Sequence, residues 1–150
     1  MIQYSIYRGM VKGGGFLMKK ILIIHSKEGN LQEIAKGIAE GAGKKGHQVD
    51  IVGTKDQGKV ITFFPYDLIL VGSPTKGFIK GKIAADLRPF LSQCKRTAGK
   101  EAGAFVTPSG FATNKSLKVL MSQLEKLGCF VNNFKTLKSK SDAVNFGERL

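Results

Sequence analysis

The run Lys19-Lys20-Ile21-Leu22-Ile23-Ile24 sets four bulky apolar residues in succession with no polar alternation, the pattern of a strand covered on both faces. Leu31, Ile34, Ala35, Ile38 and Ala42 then recur at helical spacing until Gly46 supplies a stop. A second strand is predicted over residues 47–52 and a third over 66–72, joined by a short connection with Gly58 and Pro65 that leaves little room for a helix. In residues 83–93, Ile83, Leu87, Phe90 and Leu91 share one helical side, while Pro89 bends the segment or confines it to the first turn of a broken helix. A fourth strand follows over 102–106. Asn114 is predicted to cap the next helix, whose stripe of Leu117, Leu120, Met121, Leu124 and Leu127 ends at Gly128. Residues 129–134 read as a fifth strand, and residues 141–150 as a short helix docking through Ala143, Val144, Phe146 and Leu150.

Strands that alternate with helices across short loops imply right-handed crossovers, hence an α/β fold: a three-layer α/β/α sandwich around a five-stranded parallel sheet. At 150 residues there is room for one such domain. It is assigned to residues 18–150, with residues 1–17 as an N-terminal extension outside the core. The alternative is an edge strand using Ile2, Tyr4, Ile6 and Tyr7, and both Met1 and Met18 stand as candidate starts. In parallel sheets ligands bind beyond the carboxyl ends of the strands where the strand order reverses, so the loops after the first, third and fourth strands should share one crevice.

Composition narrows the setting. The chain is 42% apolar and 23% charged, and no apolar run approaches the ~20 residues of a membrane-spanning helix or forms a secretory signal. A soluble, cytoplasmic protein is expected. Cys94 and Cys129 lie outside any CxxC pattern, so neither a disulfide framework nor a zinc site is indicated, and both read as small core residues in a reducing compartment. The net charge of +13 favours acidic partners through long-range fields. Its cations are spread along the chain, which suits a solvated basic surface and disfavours, without excluding, a nucleic-acid role. No P-loop, HExxH, Ser-His-Asp order or paired carboxylates stands out, so no catalytic side chain and no metal ligand is assigned. His25, at the end of the first strand, reads as a hydrogen-bonded structural residue, and His47 as an exposed one.

The first loop, Ser26-Lys27-Glu28-Gly29-Asn30-Leu31, feeds directly into a helix and so directs backbone N–H groups and the positive end of a helix dipole at the crevice, as a phosphate site would. Residues 21–35 resemble the opening of flavodoxins, whose phosphate loop reads Ser/Thr-x-Thr-Gly-x-Thr. Ser26 and Gly29 match it, Asn30 takes its variable position, and Glu28 and Leu31 stand where the family has threonines. A second segment, Ser73, Pro74, Thr75, Lys76, Gly77 and Phe78, resembles the family's wall for one face of the isoalloxazine ring. A third, Thr107, Pro108, Ser109, Gly110 and Phe111, resembles the wall on the other side, although a loop that merely caps the next helix is an equal reading.

The resemblance spans residues 19–134 and implies FMN as cofactor, the three segments as its binding residues, and electron transfer, with an acidic redox protein as partner. Whether the chain is an FMN-dependent oxidoreductase stays open on these residues. The alternative is a flavin-free flavodoxin-like module that uses its basic surface to bind another anion, a protein or nucleic acid; Glu28 and Leu31 favour it.

Overall fold

A computed structural model of the chain describes residues 2–6, 18–56 and 60–150. Strand β1 (Ile2–Ile6) is followed by β2 (Lys20–His25), α1 (Leu31–Lys44), β3 (Gln48–Gly53), β4 (Leu68–Pro74), α2 (Leu87–Ser92), β5 (Glu101–Thr107), α3 (Thr113–Lys126), β6 (Phe130–Thr136) and α4 (Lys140–Glu148). One sheet runs in the order β1-β3-β2-β4-β5-β6. Its last five strands are mutually parallel, and β1 pairs antiparallel with β3, from Ile2 opposite Val52 to Ile6 opposite Gln48. The five-stranded parallel sheet is thus as the alternation implied, and a sixth strand from the expected N-terminal extension lies along its edge. Residues 1 and 7–17, with Tyr7, and Gly58 of the β3–β4 connection lie outside the described residues.

Alternating side chains of the central strand split the core in two. Leu22 and Ile24 face a cluster closed by α2 and α3, with Phe63, Val71, Ala104 and Leu120. Ile21 and Ile23 face the other cluster, closed by α1 and α4, with Ile38, Leu70, Phe105 and Phe146. A strand buried on both faces needs apolar residues at every position, which is why residues 21–24 do not alternate.

The helix ends follow their glycines. Gly46 and Gly128 both adopt φ +88, and the amides beyond them return to the last turn, His47 N to Ala42 O at 3.2 Å and Cys129 N to Leu124 O at 3.2 Å. Three details differ from the sequence reading. α3 begins at Thr113, so Asn114 lies inside it; Thr113 Oγ1 instead accepts from Ser109 N at 3.1 Å. α2 spans only Leu87–Ser92, because Ile83 and Ala84 reach the core before the helix begins, and Pro89 falls in the first turn, where its missing N–H costs nothing. His47 is buried, and its Nδ1 accepts from Lys19 N at 3.0 Å.

Among the described residues no helix is long and apolar enough to cross a membrane, and no cluster of three or more metal-ligating side chains occurs. Burial pushes the thiols up, Cys94 to about 12 with help from Cys129, and Cys129 to about 11. At neutral pH this favours the protonated thiol over the reactive thiolate in both.

Asp50 sits inside β3, where a carboxylate needs a partner. Tyr66 provides it, its Oη donating to Asp50 Oδ2 at 2.6 Å with both residues buried. Tyr66→Phe is expected to leave that carboxylate oxygen unsatisfied and to cost about 1–3 kcal/mol in urea unfolding; an unchanged midpoint would place water on Asp50.

Candidate functional site

The crevice is assembled at the carboxyl ends of β2, β4 and β5. β3 and β4 lie on opposite sides of β2, so the strand order reverses there, the position at which open parallel sheets bind ligands. After β2, Ser26 N donates to Gly72 O at 3.1 Å. Gly29 then takes φ +73, the left-handed turn that a side chain resists, and lies so close to β4 that a Cβ would stand 3.6 Å from Pro74 Cβ. After β4, Thr75 is fastened to the third loop: its N and Oγ1 both donate to Thr107 O, at 3.1 and 2.7 Å. The three loops read from sequence therefore meet in one place.

They do not all offer what residue type suggested. Ser73 is fully buried, donating from Oγ to Pro74 O at 2.8 Å and accepting from Ala84 N at 2.9 Å; with Thr75 also engaged, these hydroxyls hold the loops in shape. Lys76 and Lys82 exchange backbone hydrogen bonds of 3.0 and 2.7 Å, folding residues 76–82 into a tight excursion that carries Gly77 and Phe78 outward. Pro108, Ser109 and Gly110 are exposed beyond β5 and lead through a short 3-10 turn into α3. Phe78 and Phe111 are 75% and 83% exposed, and their rings meet edge to face, centroids 6.3 Å apart at 84°. A planar ring between two parallel walls needs roughly 7–8 Å, so a flavin would part this pair or stack on one member of it.

In the first loop, Glu28 does not point at the helix terminus. Its Oε1 lies 2.8 Å from Lys76 Nζ, a half-exposed ion pair linking the first loop to the second. Leu31 is fully buried in the core cluster on the α1 and α4 side of the sheet. Lys27 is exposed.

Two residues that sequence reading missed join the loop. Asp86, just before α2, accepts from Ser26 Oγ at 2.7 and 3.0 Å to its two carboxylate oxygens, from Lys27 N at 2.9 Å, and from the Thr54 hydroxyl. Thr54, just beyond β3, also accepts from Lys27 N at 3.1 Å, and Ser26 Oγ accepts from Glu28 N at 3.0 Å. Burial alone would raise the Asp86 carboxyl, but the donors from Thr54, Lys27 and Ser26 prevail and hold it below the usual range. The available signal was positional: both are small polar residues beside the gap where the strand order reverses.

The strand side of the loop is thus satisfied internally, while its helix side is open. Asn30 makes no side-chain cap, and among the described residues no acceptor lies against the amides of Gly29, Asn30 and Leu31. These donors, at the start of a 14-residue helix, fit a phosphate group. Asp86 opposes it, because its carboxylate is bonded to Lys27 N, two residues before Gly29, and like charges repel.

His25 flanks the loop without facing the gap. Its Nδ1 carries the proton, because its partner at 2.8 Å is the Ser26 carbonyl, and its ring packs on Gly53. Burial lowers the pKa of both His25 and His47 below 6.5. The unfolded chain therefore takes up protons that the native one refuses, so the stability these groups confer is present above pH 6.5 and is lost as pH falls through their depressed values. Protonation also turns His47 Nδ1 from acceptor to donor against Lys19 N–H. The melting temperature is expected to drop between about pH 7 and pH 5, less steeply in His47→Gln; parallel curves would take His47 out of the transition.

No protein-family model and no curated protein matches the sequence. Solved structures do match its fold. Oxidised flavodoxin 1 from Bacillus cereus is 20% identical with a TM-score of 0.65, covering 85% of this chain and 94% of that one. A WrbA-like flavodoxin from Agrobacterium tumefaciens is 15% identical with a TM-score of 0.68, covering 87% and 94%. A Fusobacterium nucleatum flavodoxin, solved bound to flavin mononucleotide, is 20% identical with a TM-score of 0.58, covering 77% and 70%. The fold is flavodoxin-like, as the sequence resemblance implied.

Proposed function

We propose that the crevice binds FMN and that the chain is a flavodoxin-like electron carrier. The observation that carries this reading is the set of open amides at Gly29, Asn30 and Leu31, at the N-terminus of α1 and beside the loops that bear Phe78 and Phe111. The phosphate would rest on those amides, with Ser26, Lys27 and Glu28 shaping the turn. Residues 73–78 and 107–111 would flank the ring. Bound flavin supplies one- or two-electron chemistry. The chain's own task is to hold the phosphate, orient the ring and keep water from part of it, so no catalytic side chain is required.

The net charge of +13 suits an acidic redox protein as partner, met first through long-range attraction that salt weakens. Two unpaired, protonated thiols accord with a reducing cytoplasm.

Two observations favour the second reading, a flavin-free module that binds another anion, a protein or nucleic acid. Asp86 already engages three donors of the first loop's surroundings, and the two phenylalanines contact each other. The visible absorption spectrum of the purified protein, before and after FMN is added, separates the readings. Flavin bands approaching one per chain support the first. No uptake at micromolar FMN supports the second, and a steep loss of nucleic-acid affinity with salt would then identify phosphate-backbone binding.

A further inference from the structure

We propose that Asp86 is a built-in anion that competes with the ligand's phosphate for the first loop, and that it sets how much negative charge the crevice accepts. The proposal rests on the reading of that loop as a phosphate site. Ser26 Oγ, Lys27 N and Thr54 Oγ1 converge on this one carboxylate from the ends of two adjacent strands, β2 and β3, although Asp86 itself follows β4. Three converging donors are the equipment of an oxyanion seat, and here the chain fills the seat with its own carboxylate.

The arrangement has two consequences for a ligand. Donors spent on Asp86 are not available to phosphate, which leaves the helix-side amides to do the binding. The fixed negative charge also faces the incoming dianion from the strand side. Glu28 does not add to that charge, since Lys76 neutralises it, so the discrimination falls on Asp86. A flavin without phosphate escapes the penalty. The crevice should therefore favour singly charged or neutral ligands over phosphate esters more than a flavodoxin-like loop without such a residue would, and FMN should exchange readily.

Asp86→Asn keeps the shape and one acceptor oxygen while removing the charge. Titration of wild type and D86N with FMN and with riboflavin, followed by flavin fluorescence, is expected to show FMN held at least tenfold more tightly by D86N, with riboflavin unchanged. Inorganic phosphate, read by thermal unfolding, is expected to stabilise D86N more than wild type at equal concentration. FMN and phosphate affinities that are equal or weaker in D86N overturn the proposal, because they make the carboxylate a brace that shapes the loop. Failure of both D86N and D86S to fold overturns it for the same reason. If neither protein takes up either flavin while phosphate still stabilises D86N preferentially, the flavin reading fails and the role of Asp86 stands. If phosphate stabilises neither protein and FMN binds to neither, the proposal is overturned.

Discussion

Gly41→Val is expected to lower the stability of the chain by at least about 3 kcal/mol and to free α4 from the sheet. A helix interior disfavours glycine by about 1 kcal/mol relative to alanine, yet α1 carries Gly37, Gly41 and Gly43 in 14 residues. Contact with α4 explains two of them. A Cβ on Gly41 would stand 2.0 Å from the Val144 carbonyl oxygen and 2.9 Å from Glu148 N, and one on Gly37 would stand 2.8 Å from Ala143 Cβ. The partner helix reciprocates, since a Cβ on Gly147 would meet Ile38 O at 2.1 Å. The helices touch backbone to backbone, so a valine there has no rotamer that relieves the clash, and they must separate. Separation uncovers Ile38, Ala143 and Phe146 in the core cluster on that face. Overpacking of a tight site costs about 1–3 kcal/mol even where side chains can yield, and here backbone blocks the way. Against a total stability of about 5–15 kcal/mol the loss is severe. Urea unfolding reads it directly, and limited proteolysis near residues 138–150 reports the freed helix. An unchanged midpoint with intact protection would mean that α4 docks without this contact.

That contact also shows where sequence reading stops. The apolar residues of α1 recur at helical spacing, so the helix and its buried face are legible; its glycines read only as composition, because what they approach lies about a hundred residues away. The central strand is legible because residues 21–24 must be apolar on both faces. The edge strand Ile2–Ile6 stands in the sequence only as the lesser alternative. Its pairing depends on the open edge of β3, which its own residues do not reveal.

The site divides in the same way. Topology alone brings the three loops together, and Thr75 on Thr107 and Glu28 on Lys76 hold them there. A sequence shows which residues carry donors but not where those donors point. Ser73 and Thr75 look available to a ligand and are consumed within the fold. Glu28 looks repulsive and is turned onto Lys76. Asp86 and Thr54 lie 59 and 27 positions from Lys27, whose amide they share, and no spacing rule links them to the loop.

Gly29→Asp is expected to weaken FMN, or any phosphate ligand of the crevice, at least a hundredfold while leaving the fold intact. The left-handed φ of +73 costs an aspartate only about 1–2 kcal/mol, and its Cβ would meet Pro74 Cβ at an ordinary 3.6 Å, so the loop keeps its course. The new carboxylate stands at the start of α1, next to the amides that remain open. It can accept from them as a cap would, and it repels phosphate by ~4 kcal/mol per pair of unit charges about 4 Å apart at an effective dielectric of 20. A hundredfold loss corresponds to only about 2.8 kcal/mol, which leaves room for screening. Gly29→Asn adds nearly the same bulk without charge and is expected to lose less than tenfold, so the gap between the two variants isolates electrostatics, and raising the salt should narrow it. Equal phosphate affinities for wild type and the aspartate variant would remove this loop from the site and, with it, the basis for reading the crevice as a phosphate receptor.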